Sequence, residues 1–136
     1  MRFRLPRSLL LATLAATVFC CSKIPTPFAK SPGDVVKAFY DSANEGLYSE
    51  AEALLSESAK NAVHGELGSA GGGIKAVCDH NTRNGTIAAV EILKEDIRGE
   101  GATVLAKITY KDGSTNDHDR TQLIKEKGSW KITLGG

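Results

Sequence analysis

The spacing of hydrophobic positions divides residues 31–136 into two halves. From Ser31 to about residue 85, apolar side chains recur at intervals of three and four, which predicts amphipathic helices. From residue 86 onward, apolar and polar side chains alternate, which predicts strands. Helices followed by a run of strands are typical of the α+β class. We therefore expect N-terminal helices packed on a curved four-stranded antiparallel sheet.

Serine and glycine residues mark the boundaries of the predicted helices. Ser31-Pro32-Gly33-Asp34 provides an N-cap serine, a proline at the first helical position and an acidic residue three positions after the cap. Gly46 is suited to end this first helix. Similar signals predict a second helix from Ser49 and a third from Ser56 or two residues later. The glycine-rich stretch 68–73 should interrupt the helical region, because each glycine costs about 1 kcal/mol relative to alanine.

The strand half contains four alternating segments separated by turn signals. Asp112-Gly113 is a strong hairpin pair, and Lys127-Gly128 turns the chain into the last strand. The second segment alternates most cleanly, with one face formed by Val104, Ala106, Ile108 and Tyr110. The predicted strands cover residues 86–97, 102–110, 115–126 and 130–134.

The first twenty residues have the pattern of an export signal. Arg2, Arg4 and Arg7 form a positively charged start, and an apolar run of 12 residues follows over residues 8–19. Such a run is too short to cross a bilayer, which needs about 20 residues. The sequence therefore predicts a cleaved signal peptide over residues 1–20.

The signal ends in a segment that resembles the lipobox of bacterial lipoproteins. Val18 stands three residues before Cys21 and Cys20 directly before it, so Cys21 is the predicted lipid acceptor. Cys20 is the alternative acceptor, although it would place the bulky Phe19 directly before the cleavage site. Acyl chains would anchor the protein, since each buried CH₂ group contributes about 0.8 kcal/mol. An ordinary secretory signal that ends in cysteines is the competing interpretation.

Residues 21–30 are predicted to be the lipidated cysteine and a short tether. Pro25 and Pro27 disfavour a helix in this segment, and the tether reaches at most about 30 Å. Ser22 stands where an aspartate would retain a Gram-negative lipoprotein at the inner membrane. The resemblance therefore implies an outer-membrane location facing the periplasm, with residues 31–136 as the single domain.

Charge restricts the partners that this domain can bind. Without the three arginines of the signal, the chain has 14 basic and 16 acidic residues. A nearly neutral domain offers no electrostatic argument for nucleic acid binding, which needs a clustered basic face. We predict neither a cofactor nor a metal site.

Five segments of capping, turn and core residues carry a family resemblance: residues 31–40, 46–51, 102–104, 109–114 and 125–132. Together they are similar to lipoprotein-borne domains of unknown function in the nuclear transport factor 2-like superfamily, which has a cystatin-like fold. The resemblance covers nearly the whole mature chain. It implies helices behind a curved sheet that often forms a conical cavity, and it assigns no catalytic residues.

Within such a cavity, Tyr40 on the first helix and Tyr110 on the second strand are the candidate site residues. Enzymes of the superfamily use Asp, Tyr or His in the cavity for proton transfer, which makes a small isomerase or hydrolase an alternative function. A general base would need a desolvated carboxylate that faces the cavity. Asp41 lies off the predicted buried stripe, so we expect it in solvent, and the catalytic residues stay unassigned.

Two short clusters contain potential ligand types. Cys78-Asp79-His80, with His64 elsewhere, has the residues of a metal site, but adjacent helical positions point in different directions. A buried Cys78 is the favoured interpretation, and an accessible thiol that forms an intermolecular disulfide is the alternative. For Asp117-His118-Asp119, alternation predicts both aspartates on one face of a solvated strand end and His118 on the other.

The sequence thus predicts a membrane-anchored envelope lipoprotein with a non-enzymatic binding module. Its expected partners are the membrane through the lipid anchor, and an envelope protein, a peptide or a small apolar ligand. The small cavity enzyme is one alternative, and a homodimer that pairs through the open face of the sheet is another.

Overall fold

The computed structural model describes residues 30–69 and 71–134. The predicted signal peptide, both candidate lipid acceptors Cys20 and Cys21, and the tether before Lys30 lie outside these described residues. Within them, helices precede strands, as the sequence predicts. The elements are α1 (Pro32–Asn44), α2 (Tyr48–Ala53), α3 (Glu57–His64), α4 (Glu66–Ser69), α5 (Gly73–Thr82), β1 (Ile87–Arg98), β2 (Gly101–Tyr110), β3 (Thr115–Glu126) and β4 (Ser129–Ile132).

Helix α1 begins with the predicted capping box. Ser31 Oγ accepts a hydrogen bond from the Asp34 backbone N–H, and Asp34 Oδ2 accepts one from the Ser31 N–H, both at 3.1 Å. Such a cap stabilises a helix by about 1 kcal/mol. One face of α1 is buried against the sheet through Val35, Val36, Phe39, Tyr40 and Ala43. This face is the central part of the hydrophobic core.

The later helices differ from the prediction at their boundaries. Leu47, rather than Ser49, takes the N-cap position of α2, and its carbonyl accepts the Ala51 N–H at 3.0 Å. The tight turn at the end of α1 sets this start, and Ser49 remains exposed within the first turn. Helix α3 does begin at Ser56, whose Oγ accepts the Ala59 N–H at 3.2 Å. It ends at His64, three residues before the predicted boundary.

The four strands form one antiparallel sheet in the order β1-β2-β3-β4. The alternate residues of β2 from Ala102 to Tyr110 are buried, which confirms the predicted alternation. The free edge of β4 is covered by the chain between α2 and α3. There the Ser56 N–H donates to the Ile132 carbonyl at 2.8 Å, and the Ile132 N–H donates to the Leu54 carbonyl at 2.9 Å. The helices pack on one face of the sheet, so the α+β class is confirmed.

One side chain fixes the angle between α1 and β1. Asn44 Nδ2 donates to the Ile87 carbonyl at 3.2 Å, and Asn44 Oδ1 accepts the Ile87 N–H at 2.9 Å. Ile87 pairs with Tyr110 of β2, and Asn44 satisfies both backbone hydrogen-bonding groups of Ile87. They hold the last turn of α1 at the end of the sheet where β2 also ends.

Candidate functional site

A β-bulge in β3 places Asp119 on the helix-covered face of the sheet. Ala106 pairs with Asp119 and Ile108 with Asn116, so two residue steps on β2 correspond to three on β3. Asn116 and Asp119 are therefore both on the inner face and half-buried, while the two residues between them are exposed. The prediction that Asp117 and Asp119 share a face is wrong, because the extra residue breaks the alternation.

Asp119 accepts hydrogen bonds from two neighbouring hydroxyl groups. Tyr40 Oη donates to Asp119 Oδ2 at 2.9 Å, and Thr121 Oγ1 donates to the same oxygen at 3.4 Å. Tyr40 is 4% exposed, and this burial, together with the charge of Asp119, raises the pKa of its phenol well above the ordinary value of 10.0. Tyr40 therefore remains a neutral hydrogen-bond donor to the Asp119 carboxylate.

The second oxygen of this carboxylate is available to another molecule. Asp119 Oδ1 has no hydrogen-bond partner, and the carboxylate forms no ion pair, within the described part of the chain. A half-buried carboxylate is more stable when a donor or a cation satisfies both oxygens. The side chain thus has unused capacity to accept hydrogen bonds.

Tyr40 and Asp119 border two adjoining cavities, of about 230 and 530 Å³, that are open to solvent. Asn81 of α5 borders both cavities too. We call the combined space the α1–β3 depression. Most of its remaining wall is polar, and it includes His80, Arg83, Asn84, Asn116, Arg120 and Gln122. Such a surface suits a hydrogen-bonding ligand better than an apolar one.

Arg83 forms one rim of the depression in an unusual backbone conformation. It is the C-cap residue of α5 with φ 49° and ψ 53°, a left-handed geometry that costs on the order of 1 kcal/mol for a residue with a side chain. Buried Thr82 holds the turn, since its hydroxyl donates to the Cys78 carbonyl at 2.9 Å and accepts the Gly85 N–H at 3.0 Å. The Arg83 guanidinium lies over the Tyr110 ring, 3.9 Å from its centroid.

The structure brings Tyr40 and Tyr110, the residues singled out in the sequence, to one cavity. Both are buried, and both border the larger part of the depression. Asp41 is exposed and pairs with Lys37 at 2.7 Å, as expected for a solvated carboxylate. Asp119 was missed, because nothing in the local sequence indicates that a bulge separates it from Asp117.

The Cys78-Asp79-His80 segment distributes its side chains among different environments. Cys78 is fully buried, which confirms the favoured interpretation, and burial raises the pKa of its thiol to about 11. Lys75 pairs with Asp79 and holds the pKa of that carboxyl below its ordinary value through a hydrogen bond. His64 instead contacts Glu52 at 2.7 Å. Over residues 30–69 and 71–134, no three Cys, His, Asp or Glu side chains are grouped to hold a metal ion.

Few large apolar side chains are exposed on the described surface. They are Leu47 near α2 and Leu93 and Ile97 on β1. For residues 30–69 and 71–134, none of the helices has the length and hydropathy required to cross a bilayer.

Comparison with solved structures finds several proteins of similar fold. A candidate NTF2-like transpeptidase from Campylobacter jejuni is 19% identical, with 78% of this chain and 100% of that chain covered, at a TM-score of 0.61. A SEC-C motif containing protein from Rhodopseudomonas palustris is 15% identical over 79% of this chain and 80% of its own, at a TM-score of 0.51. An NTF2-like protein of unknown function from Cytophaga hutchinsonii is 14% identical over 76% and 87% of the two chains, with a TM-score of 0.43.

These likenesses concern the fold alone, because the sequence identities are low. A search of curated proteins finds no match. A family profile described as "Domain of unknown function (DUF4878)" matches residues 26–133, which is most of the chain. The predicted domain of unknown function and the predicted fold class are therefore confirmed. The chain belongs to the DUF4878 family, and its helices and four-stranded sheet have the fold of an NTF2-like protein.

Proposed function

We propose that this protein is a lipid-anchored bacterial envelope protein whose domain binds a polar ligand in the α1–β3 depression. The anchor is supported by the charged start, the short apolar run and the lipobox-like residues that end in Cys21. The family match begins at residue 26, only five residues after Cys21, so the anchor would hold the domain close to the membrane. An outer-membrane location facing the periplasm remains part of the proposal.

Metabolic labelling tests the anchor. The full chain is expressed in a Gram-negative host with an alkyne-tagged palmitate, and the label on the protein is quantified. Wild type and Cys20→Ala should incorporate the label, whereas Cys21→Ala should lose it. Labelling that survives in Cys21→Ala and disappears in Cys20→Ala would assign the acceptor to Cys20. Absence of label from all three would refute the anchor.

The observation that carries the binding function is the unsatisfied carboxylate of Asp119. Tyr40 and Thr121 hold its Oδ2 atom in place, and Oδ1 has no hydrogen-bond partner within the described residues. The bulge thus places on the inner face a carboxylate of which the described residues use one oxygen, and the other can accept a hydrogen bond from a ligand. The polar wall also favours a polar ligand over the small apolar ligand expected from the sequence.

Native mass spectrometry of the full chain, released from membranes in a mild detergent, tests for such a ligand. We expect a mass above that of the lipidated protein, and Asp119→Asn should reduce the occupied fraction. Asp117→Asn is the matched control, because it removes an exposed carboxylate two residues away. Equal occupancy in all three proteins, or no occupancy and no binding of any tested compound, would contradict the proposal. A doubled mass would instead direct attention to a homodimer.

A small cavity enzyme is the second candidate, and the Tyr40–Asp119 hydrogen bond favours it. A carboxylate beside a neutral hydroxyl donor can accept a proton while the donor stabilises developing charge. The compounds recovered from the wild type and from Asp119→Asn distinguish the two functions. A binding module releases the same compound from both proteins, in smaller amount from the variant. An enzyme releases product from the wild type and unconverted substrate from the variant.

A further inference from the structure

Asp119, Asn116 and Tyr110 form a row along the floor of the depression. The register sets their order, because Asp119 pairs with Ala106 and Asn116 with Ile108, the inward-facing residues that precede Tyr110 on β2. The row therefore presents a carboxylate, then a carboxamide, then an aromatic ring. Since a strand rises about 3.3 Å per residue, the row is about 13 Å long.

The two ends of this row have opposite charges that form no ion pair among the described residues. One is the Asp119 carboxylate. The other is the guanidinium of exposed Arg83, which lies over the Tyr110 ring. Asp112 is the acidic residue whose charge interacts with Arg83. Of the other charged groups that border the depression, Asp79 is paired with Lys75, and Arg120 and His80 are exposed.

Backbone geometry supports a role for Arg83 beyond the capping of α5. Arg83 and Asn84 adopt left-handed conformations in succession, at φ 49° and 59°. Glycine would satisfy the first of these positions without strain. Arginine at this position places a planar cation, suited to a carboxylate, against the ring of a residue that borders the depression.

Asn116 lies between the two charges and has unused hydrogen-bonding capacity. Its Oδ1 accepts the His118 backbone N–H at 3.1 Å, which fixes the orientation of the carboxamide. Its NH₂ group makes no hydrogen bond within the described chain, so it can donate to a ligand carbonyl. A carbonyl acceptor about midway between a cationic and an anionic end is a property of a peptide backbone.

We infer that the depression binds a short extended peptide, with its ammonium group at Asp119 and its carboxylate at Arg83. This inference rests on the proposed binding function and names the class of ligand. An extended chain advances at most about 3.3–3.6 Å per residue, so three or four residues span the row. The Tyr40 hydroxyl holds Asp119 Oδ2 in position for the ammonium group, and Asn116 can donate a hydrogen bond to the peptide backbone between the two ends.

Isothermal titration of the full-length lipidated chain in detergent with alanine peptides tests this inference. Tetra-alanine should bind, and N-acetyl tetra-alanine and tetra-alanine amide should each bind about tenfold more weakly, because each lacks one charged end. Di-alanine should also bind at least about tenfold more weakly, because it spans only half of the row. These comparisons use only the wild-type protein, so they do not depend on the folding of a variant.

Two variants then test which residue binds which end of the peptide. Asp119→Asn should weaken the binding of tetra-alanine about tenfold. In this variant N-acetylation of the peptide should cause no further loss of affinity, whereas amidation should still weaken binding. Arg83→Gln should show the reverse pattern. Asp117→Asn and Arg98→Gln, which change exposed charges outside the depression, should bind like wild type.

Equal binding of the free, acetylated and amidated peptides would overturn the inference. The inference would also fail if no peptide bound although native mass spectrometry showed a retained ligand that depends on Asp119. In that case the proposed function would stand. If neither peptide binding nor Asp119-dependent retention is found, the proposed function fails as well. The two failures are therefore distinguishable.

Discussion

Tyr40→Phe removes the hydroxyl group that donates to Asp119 and leaves the ring in the core. The bond is 2.9 Å long and its acceptor is a carboxylate, a class that contributes about 1.5–3 kcal/mol. Asp119 is half-buried, so water can replace part of the lost bond. We expect the free energy of unfolding at pH 7 to fall by about 1–2 kcal/mol, which corresponds to roughly 5–10 °C in Tm for a domain of about 100 residues.

The pH dependence of the free energy of unfolding provides a second test of this hydrogen bond. Burial and Asp119 raise the pKa of Tyr40 above its ordinary 10.0, so the folded protein keeps a proton that the unfolded chain loses. The resulting stability is fully present below pH 10 and declines as the pH rises further. Because of Tyr40, the free energy of unfolding of the wild type should fall by about 1.4 kcal/mol between pH 9 and pH 11. The Tyr40→Phe variant should not show this loss. The stability gap between the two proteins should close over this range.

Urea denaturation followed by fluorescence measures both effects. Trp130 is the only tryptophan of the chain and is 8% exposed, so its emission reports on unfolding. Asp119→Ala, which removes the acceptor, serves as the background for a double-mutant cycle, in which Tyr40→Phe should cost less than about 0.5 kcal/mol. A gap that stays constant from pH 7 to pH 11, or a full cost in the Asp119→Ala background, would refute the hydrogen bond and its effect on the phenol.

Two further predictions concern positions outside the depression. A Cβ atom on Gly33 would displace the exposed Glu95 carboxylate, which accepts the Gly33 N–H. The lost hydrogen bond is offset in part by the higher helix propensity of alanine, so Gly33→Ala should lower the free energy of unfolding by no more than about 1 kcal/mol. Gly101→Ala is the control, since a Cβ atom on Gly101 would lie 3.6 Å from its nearest neighbouring atom. This substitution should change the free energy of unfolding, measured by urea denaturation, by less than about 0.5 kcal/mol. Burial raises the pKa of the Cys78 thiol to about 11, so it should react with iodoacetamide at pH 8 at least about 100-fold more slowly in the folded than in the urea-unfolded protein. Peptide mass spectrometry measures both rates, and equal rates would show that the thiol is accessible.

The parts of the fold that the sequence predicted are those that depend on local rules. The capping box at Ser31 and the alternation of β2 each follow from a few neighbouring residues, and both appear as predicted. Lys127-Gly128 likewise forms the predicted turn, with positive φ at both residues. The start of α2 was misplaced because Leu47 has no capping side chain, and the preceding turn, rather than a polar side chain, determines the start of the helix.

The site was less predictable because it depends on contacts between distant parts of the chain. Tyr40 and Asp119 are 79 positions apart and meet only when α1 packs on the sheet. Tyr40 and Tyr110 could be selected as aromatic residues on predicted inner faces. Asp119 could not be selected from the sequence, because the pairing of β3 with β2 determines the bulge, and one strand alone has no reliable signature of it.

Two departures from local sequence rules lie together at the depression, while β1 has register shifts at 87–89 and 92–94 and Lys127 is left-handed in the turn before β4. The bulge in β3 and the left-handed arginine at the end of α5 are each less favourable than a regular alternative, a straight strand in one case and a glycine cap in the other. Packing does not account for them, because Asp119 and Arg83 are not core residues. Both departures instead put an unneutralised charge beside a tyrosine of the depression. Natural sequences depart from local rules mainly where function requires it, which is why we place the binding site here rather than on the outer face of the sheet.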